Sequence, residues 1–308
     1  MSRVAGATLV GLVALLAVLP LVAPAYVLTF LLLVLLSVTM AESWNMLSGY
    51  TGYFSLGHGL FFGVGAYGFT LSLLRLQLQP LLAILVGALL AIVVAALLAA
   101  AVMRVRIRIG YFAILTLGLN EIVKIVVVNT DALGAATGFT VPPVPSAAVP
   151  YGLMLAIAVA TIGAMLVIDR SRFGLGLRAI LDDEEVAQSM GVRTARYKRY
   201  VFVLSAAFPG LAGGVIAWNW SYVDPYLAFD LLLSFNAAIM AVFGGVGTVW
   251  GPVVGAVVMS VLIETLWVNL RNFQALVFGV LVVLIVLVAP GGVATAVARL
   301  GRRREARA

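Results

Sequence analysis

An all-α, polytopic transmembrane helical bundle is the fold this sequence predicts, and three observations predict it. Hydrophobic residues fill 64% of the 308 positions and charged residues only 10%, against roughly 25% charged in an ordinary soluble domain. Apolar runs of about 20 residues, the length that spans a bilayer, recur along the chain. The remaining charge is gathered in short basic clusters between those runs, where topology signals fall. A water-soluble core could not hide this much apolar surface, whereas lipid accepts it at no cost. Residues 1–308 read as one transmembrane domain.

About ten apolar segments follow one another, near residues 7–24, 27–47, 53–73, 81–103, 109–128, 151–168, 200–222, 231–245, 251–269 and 275–290. Ala23-Pro24-Ala25 after the first run resembles a signal-peptide cleavage site. A second run begins at once with Tyr26, so the first is expected to remain as a helix. The stretches Gly49–Gly68 and Gly244–Gly255 are dense in glycine, and both are candidates for broken or re-entrant helices. Gly49-x-x-Gly52 and Gly244-x-x-Gly247 each follow an apolar run and precede another. This is a weak internal echo, of the kind that marks the transport path in many carriers.

Charge placement sets the orientation. The net charge is +7, carried by Arg104, Arg106 and Arg108, by the stretch 169–199, and by the tail at 291–308 with Arg299, Arg302, Arg303, Arg304 and Arg307. Placing these three clusters in the cytoplasm puts both termini inside and leaves Arg75 and Arg271 outside, so the positive-inside rule holds in bulk. The tail then sits against anionic headgroups of membrane lipid, and no nucleic-acid partner is expected. Residues 129–150 contain no Lys or Arg and carry Pro142, Pro143 and Pro145, as an ordered external loop would.

The loop at 169–199 is the longest polar stretch between apolar runs. Asp182, Asp183, Glu184 and Glu185 precede Val186-Ala187-Gln188-Ser189-Met190-Gly191. Acidic residues suit the positive end of a helix dipole and glycine suits the residue after a helix end, which predicts a short helix over Asp183–Met190. Helical spacing puts Val186, Ala187 and Met190 on one apolar face. Two turns are not stable alone. The helix therefore docks in a partner's groove, lies on the bilayer, or folds against its own bundle.

Together with three further stretches, this loop resembles the branched-chain amino-acid permease family of ABC importers. In the loop the matching residues are Arg170-Ser171-Arg172-Phe173-Gly174, Leu177-Arg178-Ala179-Ile180, Ala187-x-x-x-Gly191-Val192 and Arg196-Tyr197-Lys198. The other stretches are Trp44-Asn45 through Gly49-Tyr50-Thr51-Gly52 to Ser55-Leu56-Gly57-His58-Gly59, then Gly110–Leu117 with Glu121-Ile122, and Gly244–Pro252 with Gly255 and Glu264. The likeness covers about residues 40–270, and its force lies in the four motifs occurring in order. It implies a permease subunit that pairs with a second, related permease, rests on two ATP-hydrolysing subunits and receives substrate from an external binding protein. A bacterial-type plasma (inner) membrane location follows from the same likeness. It also implies that Arg178, Asp182–Glu185, Val186, Ala187, Met190 and Gly191 form the coupling site.

No residues for chemistry of its own are legible. The lysines Lys124 and Lys198 follow Val123 and Tyr197, whereas a P-loop needs Gly-Lys before Ser or Thr; ATP hydrolysis is expected in partners. There is no cysteine and His58 is the single histidine, so neither a metal site nor a cofactor is expected, and His58 reads as a packed residue or a polar hinge. Charge at membrane depth usually finds a partner or a pathway. Glu121 and Lys124, three apart on a helix face, suit an internal ion pair. The pathway candidates are Glu42, Asn45, Gly49, Gly52, His58, Glu121, Gly244, Gly245, Gly247 and Glu264. A rival reading is a self-contained channel or ion-coupled carrier for small polar solutes such as amides or urea, with Glu42, Glu121 and Lys124 as its relay.

Overall fold

The computed structural model describes residues 11, 13–102, 109–269 and 279. The described chain is helical almost throughout: α1 (Ala25–Trp44), α2 (His58–Arg75), α3 (Pro80–Val102), α4 (Ile109–Val128), α5 (Ala148–Arg170), α6 (Arg172–Asp182), α7 (Glu184–Ser189), α8 (Thr194–Trp220), α9 (Pro225–Ala228), α10 (Leu231–Gly244) and α11 (Trp250–Asn269). Two-residue strands β1 (Phe139–Thr140) and β2 (Tyr222–Val223) pair antiparallel, Phe139 opposite Val223. They tie the 129–150 connection to the end of α8. The Arg75 guanidinium donates to the Ala132 carbonyl in the same region.

Of the ten expected membrane segments, the described residues support part. Among the described residues six stretches are long and apolar enough to cross a membrane, namely Ala25–Gly49, Pro80–Val102, Gly110–Val128, Ala148–Arg170, Thr194–Trp220 and Pro225–Gly244, with Trp250–Leu266 as a shorter apolar helix. The expected span at 53–73 becomes α2, which starts only at His58 and is buried over most of its length. Its glycines Gly59, Gly63, Gly65 and Gly68 suit an inner helix better than a lipid-facing one. The expected segment 275–290, apart from residue 279, lies outside the described residues, as do residues 7–10 and 12 of the first expected segment, Arg104, Arg106, Arg108, Arg271 and the tail at 291–308.

α2, α3 and α8 form the centre of the bundle. Small residues let these backbones approach: a Cβ on Gly65 would lie 2.1 Å from the Gly210 carbonyl oxygen of α8, and one on Gly87 of α3 would lie 2.4 Å from the Gly65 oxygen. Phe62 and Phe69 of α2 lie against Gly213 and Gly214 of α8, and Phe61 meets Phe202 edge to face, all nearly inaccessible. α1 packs against α5 on one side and against α10 and α11 on the other. The outer faces of α3 and α4 carry exposed Leu85, Leu89, Leu97, Ile114 and Ile122, as lipid-facing helices do.

Two interruptions follow from sequence. α1 passes into a π-helical turn over Asn45–Gly49, after which residues 52–57 are non-helical. α10 ends at Gly244, and Gly245 (φ 125°) and Gly247 (φ 76°) carry the chain into α11. The hairpin is closed by Gly244, where a Cβ would lie 1.7 Å from the Gly251 carbonyl oxygen.

Candidate functional site

The short polar helix forms where its capping residues predict. The Asp183 side chain accepts from the Glu185 and Val186 N–H groups, both at 2.9 Å, which caps α7. Met190 ends the helix and Gly191 follows at φ 90°. Asp182 ends α6, and Ser171 caps α6 by accepting from the Gly174 N–H at 3.1 Å. The predicted apolar face is split. Ala187 is 3% exposed and turns toward the bundle, while Val186 (50%) and Met190 (82%) face outward. The division arises because α7 packs on its own bundle through Ala187 and Glu184, so the residues left outside lie around the rest of the helix.

Two clusters bind this region to the segment after α1. In the first, the Tyr53 hydroxyl donates to Glu184 Oε2 at 2.6 Å, and Lys198 Nζ of α8 donates to Glu184 Oε1 at 2.6 Å and to the Tyr53 hydroxyl at 2.9 Å. Lys198 also lies 4.4 Å from the centre of the Tyr53 ring, a cation–π contact. In the second, the Tyr50 hydroxyl donates to Asp169 at the end of α5, and Arg178 of α6 pairs with Asp169 and sits 5.1 Å from the Tyr50 ring centre. Each cluster is a tyrosine, an acid and a base. Together they pin residues 50–53 to α5, α6, α7 and α8.

The electrostatics of Glu184 give a pH prediction. Burial raises its carboxyl, but hydrogen bonds from Lys198 and Tyr53 outweigh it and hold the pKa below the ordinary 4.5. A group depressed on folding contributes its stability above its unfolded value and loses it as pH falls through the folded value. Amide hydrogen exchange of residues 184–190, corrected for intrinsic rates, is therefore expected to stay constant above pH 4.5 and to accelerate only in stronger acid.

Five residues before Tyr50, Asn45 joins the two glycine motifs. Its Nδ2 donates to the Thr248 carbonyl at 2.9 Å, and its Oδ1 accepts from the Gly247 N–H at 2.9 Å. Nδ2 also lies 3.3 Å from Glu42 Oε2, whose companion Oε1 is buried without a partner. Gly49 must lack a side chain because its Cβ would lie 2.0 Å from Asn45 Oδ1. Thus Glu42, Asn45, Gly49, Gly244, Gly245 and Gly247 gather at one place. Gly52, at φ 75°, turns the chain between the two tyrosines.

The remaining candidates lie elsewhere. His58 starts α2, fully buried against Phe61; the Ser43 backbone is nearby, but neither ring nitrogen reaches hydrogen-bond geometry. Glu121 pairs with Lys124 at 2.6 Å on α4. Glu264 accepts from the Tyr26 hydroxyl at 2.6 Å, at the end of the bundle opposite Tyr50. Sequence reasoning missed Tyr50, Tyr53, Asp169 and Lys198 as site residues. The available signal was the Tyr-x-x-Tyr spacing around Gly52, together with charges at the edges of apolar runs.

Comparison with known proteins gives one consistent picture. Residues 4–289 match the family described as "Branched-chain amino acid transport system / permease component". The high-affinity branched-chain amino acid transport system permease protein LivM of Salmonella typhimurium is 27% identical over 285 residues, 80% of this chain and 65% of the relative. LivM of Escherichia coli K12 is 26% identical with the same coverage. The Salmonella typhimurium permease protein LivH is 28% identical over 125 residues, 40% of each chain. The chain spans 65% of the length of the two LivM relatives it matches. No solved structure matches.

Proposed function

This chain belongs to the family of branched-chain amino acid transport permease components, and we propose on that premise that it is one permease subunit of an ATP-driven importer. The substrates are amino acids with leucine-, isoleucine- or valine-like side chains. A second, related permease completes the pathway, two ATP-hydrolysing subunits dock beneath α6 and α7, and an external binding protein delivers the substrate. The subunit is a multi-pass protein of a bacterial-type inner membrane with both termini in the cytoplasm.

One observation supports the coupling role above the rest: α7 presents Val186 and Met190 outward while Glu184 is locked to Lys198 and Tyr53. A helix held this way moves with its attachments as a rigid body. Displacement of α7 by an ATP-hydrolysing partner pulls on Tyr53 through Glu184, and displacement of α6 pulls on Tyr50 through Arg178 and Asp169. Both tyrosines lie in the segment that leads back to the Asn45 clamp. The energy of the nucleotide cycle thus reaches the junction of the two glycine motifs through hydrogen bonds and ion pairs. The permease itself needs only to bind its partners differently in two states.

The test is reconstitution in lipid vesicles. With both permeases, the ATP-hydrolysing subunits and the binding protein present, uptake of labelled leucine is expected to require ATP. Uptake by this chain alone, driven by an ion gradient without ATP, would instead establish the carrier reading.

A further inference from the structure

Between α1, α10 and α11 lies a cleft of about 170 Å³, running beside Phe30–Met40 of α1. An apolar cavity of roughly 150 Å³ admits a benzene ring, so a four-carbon side chain fits here. The walls are largely apolar, with Leu33 and Met240 among them, yet Ser37, Asn236, Ser260 and Glu264 all line the same space. A cleft of apolar walls with a few convergent polar groups is the usual form of a small-molecule site.

Ser37 donates to the Leu33 carbonyl at 3.0 Å, but two of the other polar groups are short of partners. The Ser260 hydroxyl is buried with no hydrogen-bond partner. Among the described residues no cation pairs with Glu264, whose carboxylate accepts only from the neutral Tyr26 hydroxyl. A carboxyl within a membrane bundle ordinarily faces a cation or a transport path. The Tyr26 contact sets Glu264 level with the first turn of α1, so Ser37, eleven residues further on, lies about 16 Å along the helix axis. The cleft therefore runs inward from the end of the bundle opposite α7, with an acidic group at its mouth.

We propose that this cleft is a station for a zwitterionic amino acid with a branched apolar side chain. Glu264 accepts the ammonium group, the Asn236 amide and Ser260 hydroxyl donate to the carboxylate, and the walls of α1 and α10 take the side chain. The inference rests on the permease reading above and specifies where this chain itself holds the substrate.

The chain has no cysteine, so Leu33→Cys places a single thiol in the cleft. In the assembled complex in vesicles, saturating L-leucine is expected to slow maleimide labelling of that thiol roughly tenfold, in proportion to occupancy. The deaminated analogue 4-methylpentanoate is expected to give no protection, and adding Glu264→Gln is expected to remove the protection by leucine. Co-purification of the Leu33→Cys chain with its partner subunits serves as the check on folding and assembly, and ATP-driven leucine uptake is measured on the parent complex. If the Leu33→Cys complex assembles and the parent takes up leucine with ATP, but leucine gives no protection or the thiol is unreactive because a partner covers it, the cleft proposal falls and the permease reading stands. Equal protection by the deaminated analogue overturns the role of Glu264. If leucine protects but ATP never drives uptake, the cleft stands and the importer reading falls.

Discussion

Replacing Lys198 with methionine is expected to abolish coupled transport while leaving the bundle folded. Lys198 is 5% exposed, and its ammonium group holds both Glu184 and the Tyr53 hydroxyl. Removing one member of a fully buried ion pair costs about 3–5 kcal/mol because the other charge is stranded. The Glu184 side chain keeps 30% of its exposure, and water can reach it, so about 2–3 kcal/mol is the expected loss here. At 1.4 kcal/mol per factor of ten, this shifts the balance between attached and detached α7 by roughly 30- to 150-fold. Leucine uptake by the reconstituted complex is expected to collapse while ATP hydrolysis continues. Retained, ATP-dependent uptake at the native rate would remove Lys198 from the account.

Asn45→Leu is expected to have the second large effect, at the other end of the same chain of contacts. Leucine has nearly the same shape but cannot pair with the Gly247 N–H or the Thr248 carbonyl. Glu42, fully buried, also loses its side-chain partner. Two lost hydrogen bonds at about 1 kcal/mol each, plus about 1–3 kcal/mol for a buried polar group left alone, give roughly 3–5 kcal/mol. The junction between the π-turn and the α10–α11 loop is then no longer held in one arrangement. A rise in ATP-independent leak of labelled leucine through the assembled complex, together with a lower unfolding temperature, is the expected signature. A variant as tight and as stable as the parent would show that Asn45 does not clamp the junction.

The parts of this architecture that were readable from sequence are those determined locally. The run 109–128 predicts α4 to the residue, and 81–103 predicts α3 to within one, because neither contains a proline. α7 was readable from its caps, since Asp183 and Gly191 act on backbone groups two or three residues away. Which side of α7 turns inward was not, because that depends on what it packs against. The same reason explains α8, which begins at Thr194 rather than near 200. Arg196, Lys198 and Arg199 read as loop charges, and burial of Lys198 becomes tolerable only when Glu184 and Tyr53 are brought to it. The tyrosine clusters join residues 119 to 145 positions apart, and no local pattern announces such pairs. The two glycine motifs read as an echo in the sequence, but Asn45, which joins them, stands out only through partners 202 and 203 positions away.

The outward face of α7 is expected to meet an ATP-hydrolysing subunit, and cross-linking in native membranes checks this contact. Met190 is exposed and the chain is free of cysteine, so Met190→Cys carries a photo-reactive thiol probe at one position only. The account predicts a cross-linked product between this chain and a P-loop ATPase, weakened by Val186→Asp and unaffected by a probe on the outer face of α3. A probe at Met190 that reacts only with lipid or with this chain itself, in membranes where leucine uptake continues, would contradict it.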